Sequence, residues 1–512
     1  MPLTKSLRNS FKWNVLFHFV VMALSLGASL FTVPVNIAHI PLDVYGAWLA
    51  SGNILAWATM IDPGFGLLTQ QQVATTYGSG NLDGTGKIIT GGVLLNFMVA
   101  TLLSAICSIL IPWLPELLNL SGQSNFFYHQ LQSACWVATF GLFLTVSSYA
   151  VSSSGYAIQG SIALGIIAVI AHSSAFFVQI ALVIWGYGPM GIAWGNVSRG
   201  ALLLLGGIGY LVYRSRNLNI PLRFDRDSIR QILRLMPFTL GARVFSTVSQ
   251  NVSAFLLVRM VSPESAVILR STQSPFDLAI QFVNRPAAAI APTLSHMAGA
   301  GELASKKIQL LRFMTFSVWM TSLAFCGLLS LNRAFVNLWV GSPLYAGWTT
   351  NLALALGLVT LSASALFSNL TYALGSFRST SFILAAQAIL SLLAMVVGAH
   401  FFGLPGVAGG AALGGLISSL ACAVVLFRST FIDSESWKVL FFESGRCLFS
   451  AALTIGFAFL ILPLPSSWFA FMLQVLGVTA GFLSFLALLS KQLRSEVCLF
   501  GKKIRTYFVG AS

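Results

Sequence analysis

Apolar stretches of about 20 residues recur along the whole length of this chain, and they leave few folds open to it. A helix needs about 20 residues to cross roughly 30 Å of hydrocarbon, and a backbone exposed to lipid must satisfy its own hydrogen bonds. The sequence contains no run of alternating polar and apolar residues of the kind that would indicate a β-barrel. Charged residues make up only 8% of the chain, whereas a soluble domain has about 25%. The sequence therefore predicts an all-α integral membrane protein.

We expect about 14 transmembrane helices with short connections between them. The first apolar run follows Lys5, Arg8 and Lys12, and its length favours a retained helix over a cleaved signal peptide. No connection is long enough to fold as a separate soluble domain. The predicted spans are residues 13–33, 45–68, 88–112, 131–151, 161–185, 189–213, 235–258, 265–295, 309–331, 349–374, 380–401, 404–427, 446–462 and 467–490.

The distribution of Lys and Arg predicts the orientation of these spans. If the N-terminus is cytoplasmic, 22 of the 28 basic residues lie on the inner side, and only Arg259 and Arg333 lie on the outer side. The remaining four lie within spans. This asymmetry predicts that both termini are cytoplasmic. It also accounts for most of the net charge of +15, so no nucleic-acid partner is needed to explain it.

Weak internal repeats indicate two similar halves. The stretch Gly188–Gly195 opens the sixth span and the similar stretch Gly403–Gly410 opens the twelfth, while Tyr77–Leu82 and Ala298–Leu303 both follow even-numbered spans. We therefore expect two six-helix lobes around a central cavity, plus two C-terminal helices. In chain order, the predicted parts are an N-terminal lobe 1–213, a basic cytoplasmic linker 214–234, a C-terminal lobe 235–428, and two additional helices with a basic cytoplasmic tail 429–512.

The linker is the densest basic stretch in the chain. Arg226, Arg230 and Arg234 recur at every fourth residue, and Asp225 or Asp227 is placed to cap a helix start. This spacing fits a short helix on the anionic inner leaflet. It equally fits ordinary topogenic charge beside a span, and the sequence leaves both interpretations open.

Charges inside the membrane are the strongest functional signal. An arginine at a helix centre costs about 2.5–3.5 kcal/mol on the insertion scale. The only acids within predicted spans are Asp62 and Asp277, and two carboxylates neutralise at most two cations. We therefore expect a hydrated cationic cavity that binds an anionic headgroup, because arginine matches phosphate oxygens well. The arginines concerned are the four within predicted spans, Arg199, Arg243, Arg270 and Arg285. The alternative is that backbone carbonyls and polar side chains accept the hydrogen bonds of these four residues.

Asp277 lies between Arg270 and Arg285 on one broad face of the eighth span. This arrangement favours a local ion pair. The alternative is that Asp277 titrates or binds a coupling ion, so it is a candidate for coupling.

The second span contains a predicted helix break. The residues Asp62, Pro63, Gly64 and Gly66 fall within one five-residue stretch, and proline and glycine weaken a helix at membrane depth. Such a break lines a cavity or acts as a hinge. We therefore treat these four residues as candidates for gating, with Asp62 as a candidate for coupling to H⁺ or Na⁺.

Motifs for catalysis and for cofactor binding are absent from the sequence. There is no P-loop, HExxH or GxSxG motif, and the six cysteines show no metal-ligand spacing. The longest outer loops, near 113–130 and 332–348, lack the paired carboxylates of glycosyl chemistry. We therefore predict a transporter rather than an enzyme, with no metal and no cofactor.

Two short motifs resemble a known family. The stretch Val44-Tyr-Gly-Ala-Trp48 and the following Ile61-Asp-Pro-Gly-Phe-Gly66 resemble the second helix of bacterial O-antigen and exopolysaccharide flippases of the Wzx type. The glycine-rich openings of spans six and twelve fit the wider superfamily, which includes multidrug-and-toxin extruders and lipid II flippases. Many polysaccharide flippases have twelve helices, whereas lipid II flippases share the fourteen expected here.

The resemblance implies a function and a set of partners. The substrate would be an oligosaccharide on undecaprenyl pyrophosphate, flipped across the bacterial inner (cytoplasmic) membrane by alternating access. The implied partners are this lipid-linked oligosaccharide, membrane lipids, H⁺ or Na⁺, and the polysaccharide assembly machinery. Two alternatives remain: a cation-coupled multidrug extruder, which should carry acids in its cavity, and a membrane-embedded glycan polymerase or ligase, which needs an active site in an outer loop.

The topology leads to a direct test. Cysteines introduced near Ser6 and near Ser512 should resist a membrane-impermeant thiol reagent in intact cells, because positive residues hold both termini on the inner side. Labelling of either site before the cells are opened would contradict the predicted orientation.

Overall fold

The computed structural model is mostly helical over the residues that it describes, and no strand occurs among them. The predicted all-α membrane fold is therefore confirmed. The described residues are 3–60, 65–118, 125–230, 232–233, 252–299, 307–373, 377–428 and 434–495.

Fifteen α-helices in this part of the chain have defined bounds, and residues 226–230 and 252–260 are also helical. The fifteen are α1 Leu3–His39, α2 Leu42–Met60, α3 Phe65–Gly78, α4 Leu82–Leu110, α5 Leu114–Leu117, α6 Asn125–Ala157, α7 Ser161–Leu182, α8 Pro189–Asn217, α9 Pro263–Gly299, α10 Lys307–Trp339, α11 Trp348–Ala373, α12 Phe377–Phe402, α13 Leu404–Arg428, α14 Ser434–Ile461 and α15 Trp468–Leu489.

Ten helical segments in the described part are long and apolar enough to cross a membrane. They lie in α4, α6, α7, α8 and α10 to α15. The first, second and eighth predicted spans fall on α1, α2 with α3, and α9. Most of the seventh predicted span, 235–258, lies outside the described residues.

The helices form two compact units. The first contains Met1–Val267 and the second contains Ile268–Ser512. The two additional C-terminal helices belong to the second unit. The predicted lobe limits, 1–213 and 235–428, stay predictions.

In the first unit, glycines bring α8 close to two neighbouring helices. A Cβ on Gly200 would lie 3.0 Å from the carbonyl oxygen of Gly141 in α6, and a Cβ on Gly195 would lie 2.9 Å from that of Ala175 in α7. Small residues at such crossings let backbones pack without a hydrophobic driving force, which lipid does not supply. The same first unit has an apolar core that includes Val73, Val151 and Leu204.

In the second unit, the glycine-rich stretch that opens α13 packs against α12. A Cβ on Gly406 would lie 1.9 Å from the carbonyl oxygen of Gly398, and one on Gly410 would lie 2.5 Å from the amide nitrogen of Met395. This stretch is one of the two Gly-rich repeats seen in the sequence. Its physical role here is close contact between two backbones.

The two additional helices pack on α10. Cys447 and Ala451 of α14, together with Phe482 of α15, share a buried cluster with Cys326 and Leu331 of α10. The cysteine thiols are therefore packing groups in this cluster, in agreement with their irregular spacing along the chain.

The α12–α13 contact predicts opposite outcomes for two neighbouring glycines. Gly406→Ala should lower the melting temperature of the purified protein, because overpacking typically costs about 1–3 kcal/mol. Gly409→Ala is the matched control, since no atom lies within 4 Å of a Cβ at that position, and alanine favours a helix by about 1 kcal/mol over glycine. Equal melting temperatures for the two variants would contradict the packing described here.

Candidate functional site

Arg199 lies near the middle of α8, with a partly buried side chain. Its Nε atom is buried, and no described residue accepts a hydrogen bond from it. Arg199 also forms no salt bridge within the described part of the chain. His172 of α7 and Tyr149 of α6 lie within electrostatic range of its guanidinium. Arg199 thus lies in a membrane helix without an acid partner among the described residues.

Hydrogen bonds between polar side chains join α7 to α1 and to α8. Ser25 Oγ lies 3.3 Å from His172 Nδ1, and the hydroxyls of Ser174 and Ser198 are 2.5 Å apart. Hydroxyl and imidazole groups can both donate and accept hydrogen bonds. The first unit therefore holds polar groups on the same helices as the Arg199 guanidinium and His172, which lies within electrostatic range of it.

The neighbouring glycines explain why the chain holds Arg199 at this position. Gly195, one helical turn earlier, contacts α7, and Gly200, the next residue, contacts α6. A backbone carbonyl lies at each contact, and side-chain atoms of the neighbouring helix lie equally close, so α8 has little freedom to rotate. The guanidinium is therefore presented from a rigid helix, which favours a defined binding geometry.

The α9 helix carries a second charged group. Arg270 Nη1 lies 3.0 Å from Asp277 Oδ2, and Gln273 Nε2 donates to Asp277 Oδ1 at 3.1 Å. The side chains of Arg270 and Asp277 are 48% and 31% exposed. The local ion pair that the spacing favours is therefore present, and Arg270 differs from Arg199 in having an acid partner.

A buried polar network fixes the part of α9 that carries this pair. Thr272 Oγ1 accepts a hydrogen bond from the Ala346 amide at 2.9 Å, and the Thr272 carbonyl accepts one from Asn332 Nδ2 at 3.0 Å. The same Nδ2 also donates to Asn351 Oδ1 at 2.8 Å. These bonds connect α9 to α10, to α11 and to the turn before α11, so the ion pair lies on a fixed backbone.

The remaining predicted site residues are less fully placed. Asp62, Pro63, Gly64 and Arg243 lie outside the described residues, and Arg285 lies in α9 with its side chain outside the description. Gly66 lies in α3 and is buried.

Glu443 is a buried acid that the sequence analysis did not identify. The thirteenth span was predicted to begin at residue 446, but α14 begins at Ser434, so Glu443 falls within a membrane helix with only 1% of its side chain exposed. It accepts hydrogen bonds from Trp319 Nε1 at 3.1 Å, from Arg446 Nη1 at 2.8 Å and from the Ser490 hydroxyl. The spacing of Glu443 and Arg446 by three residues is the signal that indicates such a pair.

The Glu443 cluster joins three helices, with Trp319 on α10, Arg446 on α14 and Ser490 directly after α15. Both carboxylate oxygens have donors, so the group is engaged by the protein itself. Its geometry is that of a structural contact that fastens the additional helices to α10.

No group of acids, histidines and cysteines able to hold a metal ion occurs among the described residues. In the first unit the candidate site is Arg199 with His172 nearby. The Arg270–Asp277 pair belongs to the second unit and is described by itself.

Comparison with known proteins places the fold. No family model and no curated protein matches the sequence. Among solved structures, a lipid II flippase MurJ in an inward closed conformation matches with a TM-score of 0.70 at 13% identity, covering 94% of this chain and 99% of that one. The chain shares its fold with this structure. It is a multi-pass membrane protein of the architecture found in that flippase and in MATE transporters of the MOP superfamily.

Two MATE structures illustrate the second group of neighbours. An inward-facing multidrug resistance MATE transporter matches with a TM-score of 0.64 at 15% identity, covering 80% of this chain and 96% of that one. A mutant of the Vibrio cholerae MATE transporter VcmN matches with a TM-score of 0.55 at 15% identity, covering 85% and 99%. At such identities the likeness establishes the fold, while the substrate has to be argued from the site.

The Glu443 cluster gives a stability prediction. Glu443→Ala should lower the free energy of unfolding by about 2–3 kcal/mol, because a charge-assisted hydrogen bond is lost and buried donors are left without an acceptor. Thermal unfolding of the purified protein measures this loss. Glu435→Ala, which removes an exposed acid from the first turn of the same helix, is the control and should have little effect. Equal stability of the two variants would exclude a structural role for Glu443.

Proposed function

We propose that this protein flips an oligosaccharide linked to undecaprenyl pyrophosphate across the bacterial inner membrane, for polysaccharide biosynthesis. Arg199 is the observation that carries the proposal, because its guanidinium lies within a membrane helix with a buried Nε atom and without an acid partner among the described residues. The similarity to a lipid II flippase over 94% of the chain supports a carrier of a lipid-linked substrate. The short motifs of the second span, which resemble polysaccharide flippases, point to the glycan class.

The chemistry of a pyrophosphate suits such a site. A guanidinium presents several donors in a planar fork that matches phosphate oxygens, and it stays charged under all physiological conditions. His172, which lies within electrostatic range of Arg199, forms a hydrogen bond with Ser25 and adds a further polar group. Arg243 and Arg285 remain further candidates for binding the anionic head group in this proposal. Arg270 contributes less, since Asp277 already compensates it.

The physical task explains why a carrier is needed. A charged pyrophosphate and a polar glycan cannot cross hydrocarbon without losing hydrogen bonds to water, at a cost of several kcal/mol for each unsatisfied group. A cationic cavity that opens alternately to the two sides supplies replacement bonds for the head group. The polyprenyl tail can remain in lipid throughout.

A cation-coupled multidrug extruder is the second candidate, and the similarity to MATE transporters favours it. A site for cationic drugs needs acids to bind them. In the described membrane helices, Asp277 and Glu443 already accept hydrogen bonds from arginines, whereas Arg199 has no acid beside it. The charge of the site therefore favours an anionic substrate.

Replacing Arg199 tests the anion site. Arg199→Ala should reduce export of lipid-linked glycan by about 10- to 100-fold, since a lost hydrogen bond between charged groups costs roughly 1.5–3 kcal/mol. Each variant is expressed in cells that lack the native protein, and the measurement is the amount of glycan that accumulates on the inner face of the membrane. Arg333→Ala, at an exposed position in α10, is the control and should export normally. Normal export by Arg199→Ala at normal membrane level would make this arginine structural.

We further propose that Asp62 couples transport to a proton or sodium gradient. Asp277 and Glu443 are engaged by arginine, whereas Asp62 has no basic residue nearby in its own predicted span and lies at a Pro-Gly break. A carboxyl in such a position is suited to bind and release a cation as the cavity changes its opening.

Asp62→Asn should therefore slow flipping and remove its dependence on the imposed gradient in reconstituted vesicles. Asp43→Asn is the matched control, because Asp43 lies in the first turn of α2 and accepts a hydrogen bond from the Val44 amide. Flipping by Asp62→Asn that still responds to the gradient would exclude Asp62 as the coupling group.

A further inference from the structure

The segment that follows α8 makes an exposed basic surface. We call it the basic corner and define it by Arg216, Leu222, Arg223, Phe224, Arg226 and Arg230, all of which are exposed. The transport site does not include these residues.

A tight turn directs the chain out of α8. Asn219 has a positive φ of 54°, and the Ile220 amide donates to the Ser215 carbonyl at 2.9 Å, which closes the helix end. Ile220 is buried in the core of the first unit. The turn therefore returns the chain to the bundle directly after α8 ends.

Contacts with α4 hold the next residues in place. A Cβ on Gly86 would lie 1.9 Å from the carbonyl oxygen of Pro221, and Ile232 packs with Leu95 of α4. Asp225 accepts hydrogen bonds from the amide of Ser228 at 2.9 Å and from its hydroxyl at 2.6 Å. These bonds hold the pKa of the Asp225 carboxyl below its usual range and cap the helical residues 226–230.

The inner and outer faces of this segment differ in character. Ile229 and Ile232 turn towards α4, whereas Arg226 and Arg230, four residues apart, are exposed on one side of the helical residues. Phe224 is 67% exposed and Leu222 is 43% exposed, without protein to cover them. Leu222 and Phe224 lie on either side of Arg223 in the sequence, and Arg226 follows two residues after Phe224.

The nearby acids do not neutralise the surface. Asp225 and Asp227 are the two acids of the stretch 214–230, against the four arginines of the basic corner. Asp83 of α4 pairs with Lys87 at 2.6 Å. The surface therefore keeps an excess of positive charge.

The position of the basic corner is that of a lipid headgroup layer. α8 is one of the helices able to cross the membrane, and the basic corner begins at its last turn, where Tyr213 is 63% exposed. Tyrosine is enriched at membrane interfaces because one end of its ring is apolar and the other polar. The positive-inside distribution predicts that this is the cytoplasmic end.

We propose that the basic corner binds anionic phospholipid of the inner leaflet. The arginines contact lipid phosphates, and Phe224 and Leu222 enter the boundary between headgroups and acyl chains. Ordinary topogenic charge requires neither exposed apolar side chains nor a preference among lipids. The combination of arginines with large apolar side chains matches an interfacial surface instead.

Lipid binding to the full-length protein tests this proposal. The purified protein is titrated with phosphatidylglycerol or phosphatidylcholine in detergent, and bound lipid is counted by native mass spectrometry. Arg226→Gln with Arg230→Gln should weaken phosphatidylglycerol binding by roughly 25-fold at low ionic strength, from about fivefold for each basic residue. Phosphatidylcholine binding should change little.

The matched control removes two exposed basic residues elsewhere on the predicted inner side. Lys491→Gln with Arg494→Gln changes the net charge equally but leaves the basic corner intact, so it should retain phosphatidylglycerol. Circular dichroism and thermal unfolding check that both double variants fold.

Three outcomes would overturn the proposal. The first is wild-type phosphatidylglycerol binding by Arg226→Gln with Arg230→Gln in a folded protein. The second is an equal loss in the control, which would indicate a general effect of charge. The third is displacement of phosphatidylglycerol by inorganic phosphate at comparable concentration, which would indicate a site for a soluble anion.

Discussion

A guanidinium at the middle of a membrane helix is tolerated only where protein, water or a bound anion receives its hydrogen bonds, and the account of this protein depends on that constraint. The chain meets it in two ways. Arg270 donates a hydrogen bond to Asp277, which also accepts one from Gln273. The protein itself therefore compensates the charge of Arg270. Arg199 has a buried Nε atom without a hydrogen-bond partner and no acid partner among the described residues, which leaves capacity for an anion from outside the protein.

Helix packing determines where that capacity is presented. Gly195 and Gly200 bring α8 against α7 and α6, so that Arg199 is held between two close backbone contacts. In the second unit, Gly398 and Gly406 play the same packing role, and Glu443 fastens the two additional helices to α10. Within each unit, close helix contacts and hydrogen-bonded polar clusters hold the helices in place. In the first unit, the buried Nε atom of Arg199, which has no hydrogen-bond partner among the described residues, is the feature on which the proposed function rests.

Much of this fold follows from the sequence, because membrane helices have a strong signal in length and hydropathy. The ends of α13 at Leu404 and Arg428 lie within one residue of the predicted span, and the Arg270–Asp277 pair follows from helical periodicity. Glu443 was missed because charged residues lower the hydropathy at the start of α14. The predicted span therefore begins twelve residues after the helix does. The burial of a carboxylate by Trp319 and Ser490, both distant in sequence, depends on tertiary contacts that no local pattern encodes.

The central claim is that the substrate is an anionic lipid-linked glycan. The most direct measurement is flipping of a fluorescent undecaprenyl-pyrophosphate glycan by the purified protein in proteoliposomes, followed by the fraction protected from an impermeant quencher. An undecaprenyl-linked glycan without phosphate groups and a cationic drug serve as competitors. The account predicts flipping of the pyrophosphate-linked glycan, with little competition from either compound. Transport of the cationic drug without flipping of the glycan would contradict the account and would identify a multidrug extruder.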